Sequence, residues 1–189
     1  MFKNLITKNR SYRRFYQNHK LTIEKLKDLI ELARLSASGR NLQPLKYYLS
    51  ADEETNQKVF STLAWAGYLK DWDGPKVGER PTGYIIILGD TRLTSNYFCD
   101  HGIAAQSMLL GAVEKELGGC IFASIQREKL KQLLNIEKYF DILLVIALGK
   151  PKEKVVIEEA KNEDIKYYRD ENQVHHVPKR RLEELIISK

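Results

Sequence analysis

The chain has 189 residues, of which 43% are apolar and 30% charged, enough to bury a core and to suit one globular domain. That composition excludes a disordered segment, and no apolar stretch approaches the ~20 residues of a membrane span. The net charge of +6 is local, because the first fifty residues hold eleven Lys and Arg against only Glu24, Asp28 and Glu31.

A local basic excess suits nucleic acid, an anionic membrane surface or a phosphorylated small molecule. The opening MFKNLITKNR carries polar residues where a secretion signal needs an apolar run. Cys99 and Cys120 form no CxxC pair, so a reducing cytoplasm is the expected location.

Phe2–Lys8 reads as a short amphipathic helix. It leads into NRSYRRF, where Arg10, Arg13 and Arg14 flank Ser11 and Tyr12. Guanidiniums so spaced make forked hydrogen bonds to a phosphate or a polarised carbonyl, although a solvent-facing basic loop has the same composition. Thr22 is placed to cap a helix whose Leu26, Leu29, Ile30 and Ala33 recur at helical spacing, with several lysines on its solvated face. SASGRNLQP follows: Gly39 and Asn41 tolerate left-handed geometry, and Pro44 biases Gln43 away from the helical region. The loop is either a plain turn or a set of amides and hydroxyls matched to the edge of a heteroaromatic ring.

Residues 46–50 predict a strand and 52–63 a helix. The stretch AWAGYLKDWDGPKVGERP, residues 64–81, lacks any period and is too long for a connector, which suits a lid or binding wall. Its Trp65, Tyr68 and Trp72 would face a planar substrate or pack on the body of the protein. YIIILG reads as a central strand. Residues 100–120 predict a buried central helix, with Ile103, Met108, Leu109, Leu110, Val113 and Leu117 on more than one face. Small residues let neighbours approach it, and Gly118-Gly119 would end it where φ > 0 is needed.

A second short strand is expected at 119–122, a helix capped by Ser124 as far as Leu134, and a buried strand in DILLVIAL. Beyond Pro151 the charged composition predicts an arm running over a surface. It continues as an extended piece, a turn near 170–172, Val177-Pro178-Lys179-Arg180 and a short helix. The order favours an α+β fold, helices around a mostly antiparallel sheet.

No metal site is expected: His19 and His101 are isolated, and the adjacent His175 and His176 point opposite ways in extended chain. GxGxxG, Walker and GxSxG sequences are absent, and Cys120 sits in an apolar setting that suits an inert thiol. With no evident acid, base or nucleophile, any chemistry would belong to a bound cofactor.

Four segments in order, Arg10-Ser11-Tyr12-Arg13, Ala37-Ser38-Gly39-Arg40-Asn41-Leu42-Gln43-Pro44, Glu116-Leu117-Gly118-Gly119-Cys120 and Pro178-Lys179-Arg180, resemble the nitroreductase family of FMN enzymes. The resemblance spans nearly the whole chain. It implies one FMN-binding domain over residues 1–189, a homodimer with the site at its interface, and an arm of residues 151–189 extending over the partner subunit. Arg10, Ser11, Lys179 and Arg180 would meet the phosphate and ribityl chain, and Arg13 the negative edge of the reduced ring. Ser38 and Asn41 would line the ring from the partner subunit, Gln43 would also contact the cofactor, and Ala123 and Ser124 would lie near the flavin N5.

The implied activity passes a hydride from NADH or NADPH to a nitroaromatic, a quinone or a similar acceptor. Dehalogenation or reduced-flavin fragmentation on the same fold is the alternative, and a basic nucleic-acid-binding module using Arg10, Tyr12, Arg13 and Arg14 a distant one. Ala37 replaces the usual Pro of its motif, and Glu116 stands where Gly is common.

Overall fold

The computed structural model describes residues 2–188. In chain order the elements are α1 (Phe2–Lys8), α2 (Ile23–Arg34), β1 (Leu45–Ser50), α3 (Glu53–Phe60), β2 (Gly83–Asp90), α4 (Asp100–Glu114), β3 (Gly118–Phe122), α5 (Arg127–Leu134) and β4 (Phe140–Gly149). Three short strands follow, β5 (Val155–Glu159), β6 (Tyr168–Arg169) and β7 (His175–Lys179). The first four strands form an antiparallel sheet in the order β1-β2-β4-β3.

The two central strands are the two continuous apolar runs of the sequence, and they are continuous because both faces of the sheet are covered. Every residue of β2 is buried. On one face Ile85, Ile87, Ile146 and Leu148 pack against Leu26 and Leu29 of α2 and Met108 and Leu109 of α4. On the other, Tyr84, Ile86, Val145 and Ala147 meet Val59 of α3, Leu130 of α5 and Trp65. The architecture is therefore α+β, a mostly antiparallel sheet between helical layers. Thr22 caps α2 as expected, accepting the Lys25 N–H, and Asp52 does the same for α3 from Thr55. Among the described residues no helix is long and apolar enough to cross a membrane.

Several local expectations are corrected. The central helix ends at Glu114, and the left-handed residue after it is Glu116 (φ 58°), not the glycine pair. Gly118 and Gly119 open β3 instead, for a steric reason: a Cβ on Gly119 would lie 2.6 Å from the Ala147 carbonyl oxygen, and one on Gly118 2.4 Å from the Tyr12 ring. Burial of α4 is one-sided in the single chain, since Ile103 remains 39% exposed and Leu110 and Val113 are half-buried. Ser124 caps nothing, because α5 starts at Arg127 behind Gln126. In the 38–43 loop Asn41 is left-handed as expected, but so are Arg40 and Gln43 (φ 50°), despite Pro44. Past Pro151 the chain is held by strand pairing as far as Lys179: β5 pairs parallel with β7, which also pairs antiparallel with β6.

Candidate functional site

Alternation along β7 decides which C-terminal side chains reach the N-terminal segment. His175, Val177 and Lys179 share one strand face and line a cavity of about 300 Å3 together with Arg10, Ser11 and Arg13. The N-terminal segment reaches this place by lying along β3, where the Tyr12 N–H donates to the Gly119 carbonyl at 3.0 Å. The missing Cβ atoms at Gly118 and Gly119 make that approach possible. Cationic residues from the two ends of the polypeptide thus meet in one wall.

Among the described residues, three cations and no carboxylate line the cavity. Arg10 donates from Nη2 to the Ile6 carbonyl at 2.8 Å, while its Nε is buried with no partner among the described residues. Arg13 is only 8% exposed, and no carboxylate among the described residues pairs with its guanidinium. Its Nη1 donates to the Ser11 carbonyl at 3.3 Å and to His175 Nε2 at 3.2 Å, and its guanidinium carbon sits 4.6 Å above the Tyr167 ring. Burial first, and then the nearby Arg13, push the His175 pKa down to about 4. The imidazole is therefore neutral at neutral pH and, facing a donor-only guanidinium, carries its hydrogen on Nδ1, which is buried with no partner among the described residues.

Arg14, one residue on, is fully compensated. Its Nε and Nη2 make a fork to Glu79, both bonds 2.7 Å, and Lys152 adds a third contact at 2.9 Å. The Arg14 fork, with Lys152 behind it, holds the Glu79 carboxyl down at about 2. Glu153 accepts the backbone N–H groups of Arg13 and Arg14 and pairs with Arg169 Nη2 at 3.0 Å. The basic stretch is thus folded in, with one arginine buried and the next neutralised, not displayed as a solvated comb.

The SASGRNLQP loop forms a second place. Ser38 Oγ donates to Asp100 Oδ2 at 2.6 Å, the Gly39 N–H donates to Asp100 Oδ1 at 2.8 Å, and the Gln43 N–H donates to Ser38 Oγ at 2.9 Å. Asp100 is the first residue of α4, where the helix dipole favours a carboxylate. Ser38, Gln43, Tyr47 and Asp100 line a cavity of about 310 Å3. Burial, reinforced by Asp100, raises the Tyr47 hydroxyl to about 12 and keeps it a neutral donor. A wider concavity of about 400 Å3 near Asn56 and Arg80 holds none of the residues expected from sequence.

The residues expected from sequence thus divide. Arg10, Ser11, Arg13 and Lys179 share the first cavity, and Ser38 and Gln43 the second, with Asn41 exposed on the same loop. Arg180 lies past the end of β7 and faces Glu184 at 3.6 Å. Ala123 and Ser124 are exposed just after β3, their carbonyls accepting from Arg127 Nη2 and the Ala64 N–H.

Of the three aromatics in residues 64–81, Trp65 is a core residue 4.6 Å from the Phe122 ring, which corrects its reading as a substrate wall. Trp72 lies under the Arg169 guanidinium at 4.2 Å. Only Tyr68 is exposed, 4.9 Å from Tyr167 and so one ring away from the first cavity. Sequence reading missed His175, Tyr167, Glu153 and Asp100. The i, i+2, i+4 spacing of His175, Val177 and Lys179 was the one available signal.

Comparison with known proteins points to one family. The profile described as "Nitroreductase family" matches residues 6–150. The curated Bacillus subtilis protein MhqN, provisionally named an NAD(P)H nitroreductase, is 22% identical over 183 aligned positions, covering 80% of this chain and 89% of that protein. A nitroreductase family protein from Streptococcus pneumoniae superposes over 100% of both chains with a TM-score of 0.70 at 18% identity. An FMN-dependent nitroreductase from Clostridium difficile covers 84% of this chain and 91% of its own, with a TM-score of 0.64 at 20% identity.

Proposed function

Because the chain belongs to the nitroreductase family, we propose that it is an FMN-dependent oxidoreductase taking a hydride from NADH or NADPH and delivering it to a nitroaromatic, a quinone or a similar electron-poor acceptor. The observation that carries this reading is the acid-free cavity in which Arg10, Arg13 and Lys179 converge. An anionic ligand is what such a wall requires, and the unused Arg10 Nε and the Ser11 hydroxyl suit a phosphate with a polyol attached. The Clostridium difficile neighbour's dependence on FMN supports the choice of ligand.

FMN, when bound, supplies hydride acceptance and donation at its N5. The chain's own contribution is placement and charge. Arg10 and Lys179 would hold the phosphate, Ser11 would meet the ribityl chain, and Arg13 would face the ring edge that becomes negative on reduction. Ser38 and Gln43 offer hydrogen-bonding groups to a ring edge, yet they sit in a different cavity from Arg10. A two-fold partner that brings its Ser38 loop to the Arg10 cavity resolves the separation. The strip formed by exposed Ile103 and half-buried Leu110 and Val113 on α4 would give that partner an apolar seat. Tyr68, beside Tyr167, is the aromatic placed to contact a planar acceptor.

The test is direct. The purified protein should show a flavin absorption spectrum, or acquire one on adding FMN, run as a dimer on sizing, and oxidise NADH or NADPH when given a nitroaromatic or a quinone. A colourless protein that takes up no FMN overturns the reading.

A further inference from the structure

Arg13 is a buried cation that the described chain leaves without a counter-charge. Both nearby carboxylates are engaged elsewhere: Glu79 by Arg14 and Lys152, Glu153 by Arg169 and two backbone N–H groups. What touches the Arg13 guanidinium is neutral, namely the Ser11 carbonyl, the Tyr167 ring face and His175 Nε2. His175 is itself 1% exposed and fixed in place, its N–H donating to the Lys154 carbonyl at 2.9 Å and its ring 5.2 Å from Tyr167. Burying an ionised group beside neutral acceptors is costly, and a carboxylate at position 175 would be the simple way to relieve it. The fold places an uncharged imidazole there instead.

We propose that His175 is a positioning residue which, with Tyr167, seats Arg13 without neutralising it, so that the arginine's counter-charge is supplied by the anionic edge of reduced FMN. The inference rests on the FMN reading given above. It follows that affinity for reduced FMN depends on the charge at position 175 more strongly than affinity for oxidised FMN does, because only the reduced ring brings the missing negative charge. Gln at 175 keeps an acceptor for Arg13 Nη1, whereas Glu there captures the guanidinium in an ion pair.

The full-length His175→Glu and His175→Gln variants separate this role from a merely structural one. Three quantities are measured for each: the melting temperature of the apoprotein, the dissociation constant for oxidised FMN, and the midpoint potential of the bound flavin by dye equilibration. The Glu variant should melt no lower than wild type. It should nevertheless bind reduced FMN about tenfold more weakly relative to oxidised FMN, which lowers the potential by about 30 mV for a two-electron couple. The Gln variant should stay within about twofold of wild type on the same ratio. The proposal is overturned if Glu and Gln move the potential alike, if Glu leaves it unmoved, or if Glu unfolds the apoprotein while Gln does not. A wild-type chain that binds no FMN overturns the underlying reading, a result distinct from a flavin-loaded variant with an unchanged potential.

Discussion

Ser38 Oγ lies 2.6 Å from Asp100 Oδ2, joining a loop to the first turn of the central helix across 62 residues of sequence. The same carboxylate takes the Gly39 N–H through its other oxygen, and Ser38 in turn accepts the Gln43 N–H. One side chain therefore fixes the shape of a loop in which Arg40, Asn41 and Gln43 all hold left-handed backbone.

Replacing Asp100 with Asn should loosen that loop. Asn keeps one acceptor and loses both the charge-assisted bonds and the favourable position at the helix start, a cost of about 1–3 kcal/mol. Urea denaturation would read the lost stability. Proteolysis should show cleavage appearing within residues 38–43, and an unchanged midpoint with an intact loop would refute the clamp.

Glu79 should give the protein an acid-sensitive window. Its folded pKa of about 2 lies below the unfolded value of about 4.3, so its contribution is present above the unfolded value and lost as pH falls toward 2. With Arg14 and Lys152 partly exposed, screening leaves roughly 2 kcal/mol. Glu79→Gln should lower stability at neutral pH by about that amount and flatten the curve between about pH 5 and pH 2. Denaturation midpoints across that range check it, and parallel curves for the two proteins would count against it.

Glu116 occupies a left-handed position (φ 58°) just after the central helix, at the site where the resembling motif commonly has Gly. A side chain there costs about 1–2 kcal/mol, partly returned because Gly is freer in the unfolded chain. Glu116→Gly should therefore stabilise the protein by about 0.5–1 kcal/mol, whereas Glu116→Ala should not, since Ala keeps the Cβ. Thermal melts of the two variants decide the matter. Equal melting temperatures would mean the turn is not strained.

Residues that act through their immediate neighbours were legible in the sequence. The apolar runs of β2 and β4 announced strands covered on both faces, Thr22 announced its cap, and Arg10, Ser11, Arg13 and Lys179, singled out by short motifs, line one cavity. What failed was set by partners far along the chain. Nothing near Gly118-Gly119 distinguishes a helix stop from a strand that must pass close to Tyr12 and Ala147. Trp65 looked available for a substrate because the core that claims it is assembled from α3, β3 and β4. The parallel pairing of β5 with β7 joins segments 20 residues apart, and although Val155-Val156-Ile157 suits a strand, nothing nearby names its partner.

Lys179 and Arg180 make the last of these contrasts testable. Both were expected at a phosphate, but β7 turns Lys179 toward the cavity with His175 and Val177, while Arg180 lies past its end near Glu184. Loss of one charge-assisted bond costs about 1.5–3 kcal/mol, so Lys179→Ala should weaken FMN binding at least about tenfold. Arg180→Ala should change it less than about threefold, since removing an exposed pair costs ~0–1 kcal/mol. Quenching of flavin fluorescence on titration measures both constants. Added salt should weaken wild-type binding more than that of Lys179→Ala, because the variant has one cation fewer to screen. A larger effect at Arg180 would instead place that side chain on the phosphate of a site shared between two subunits.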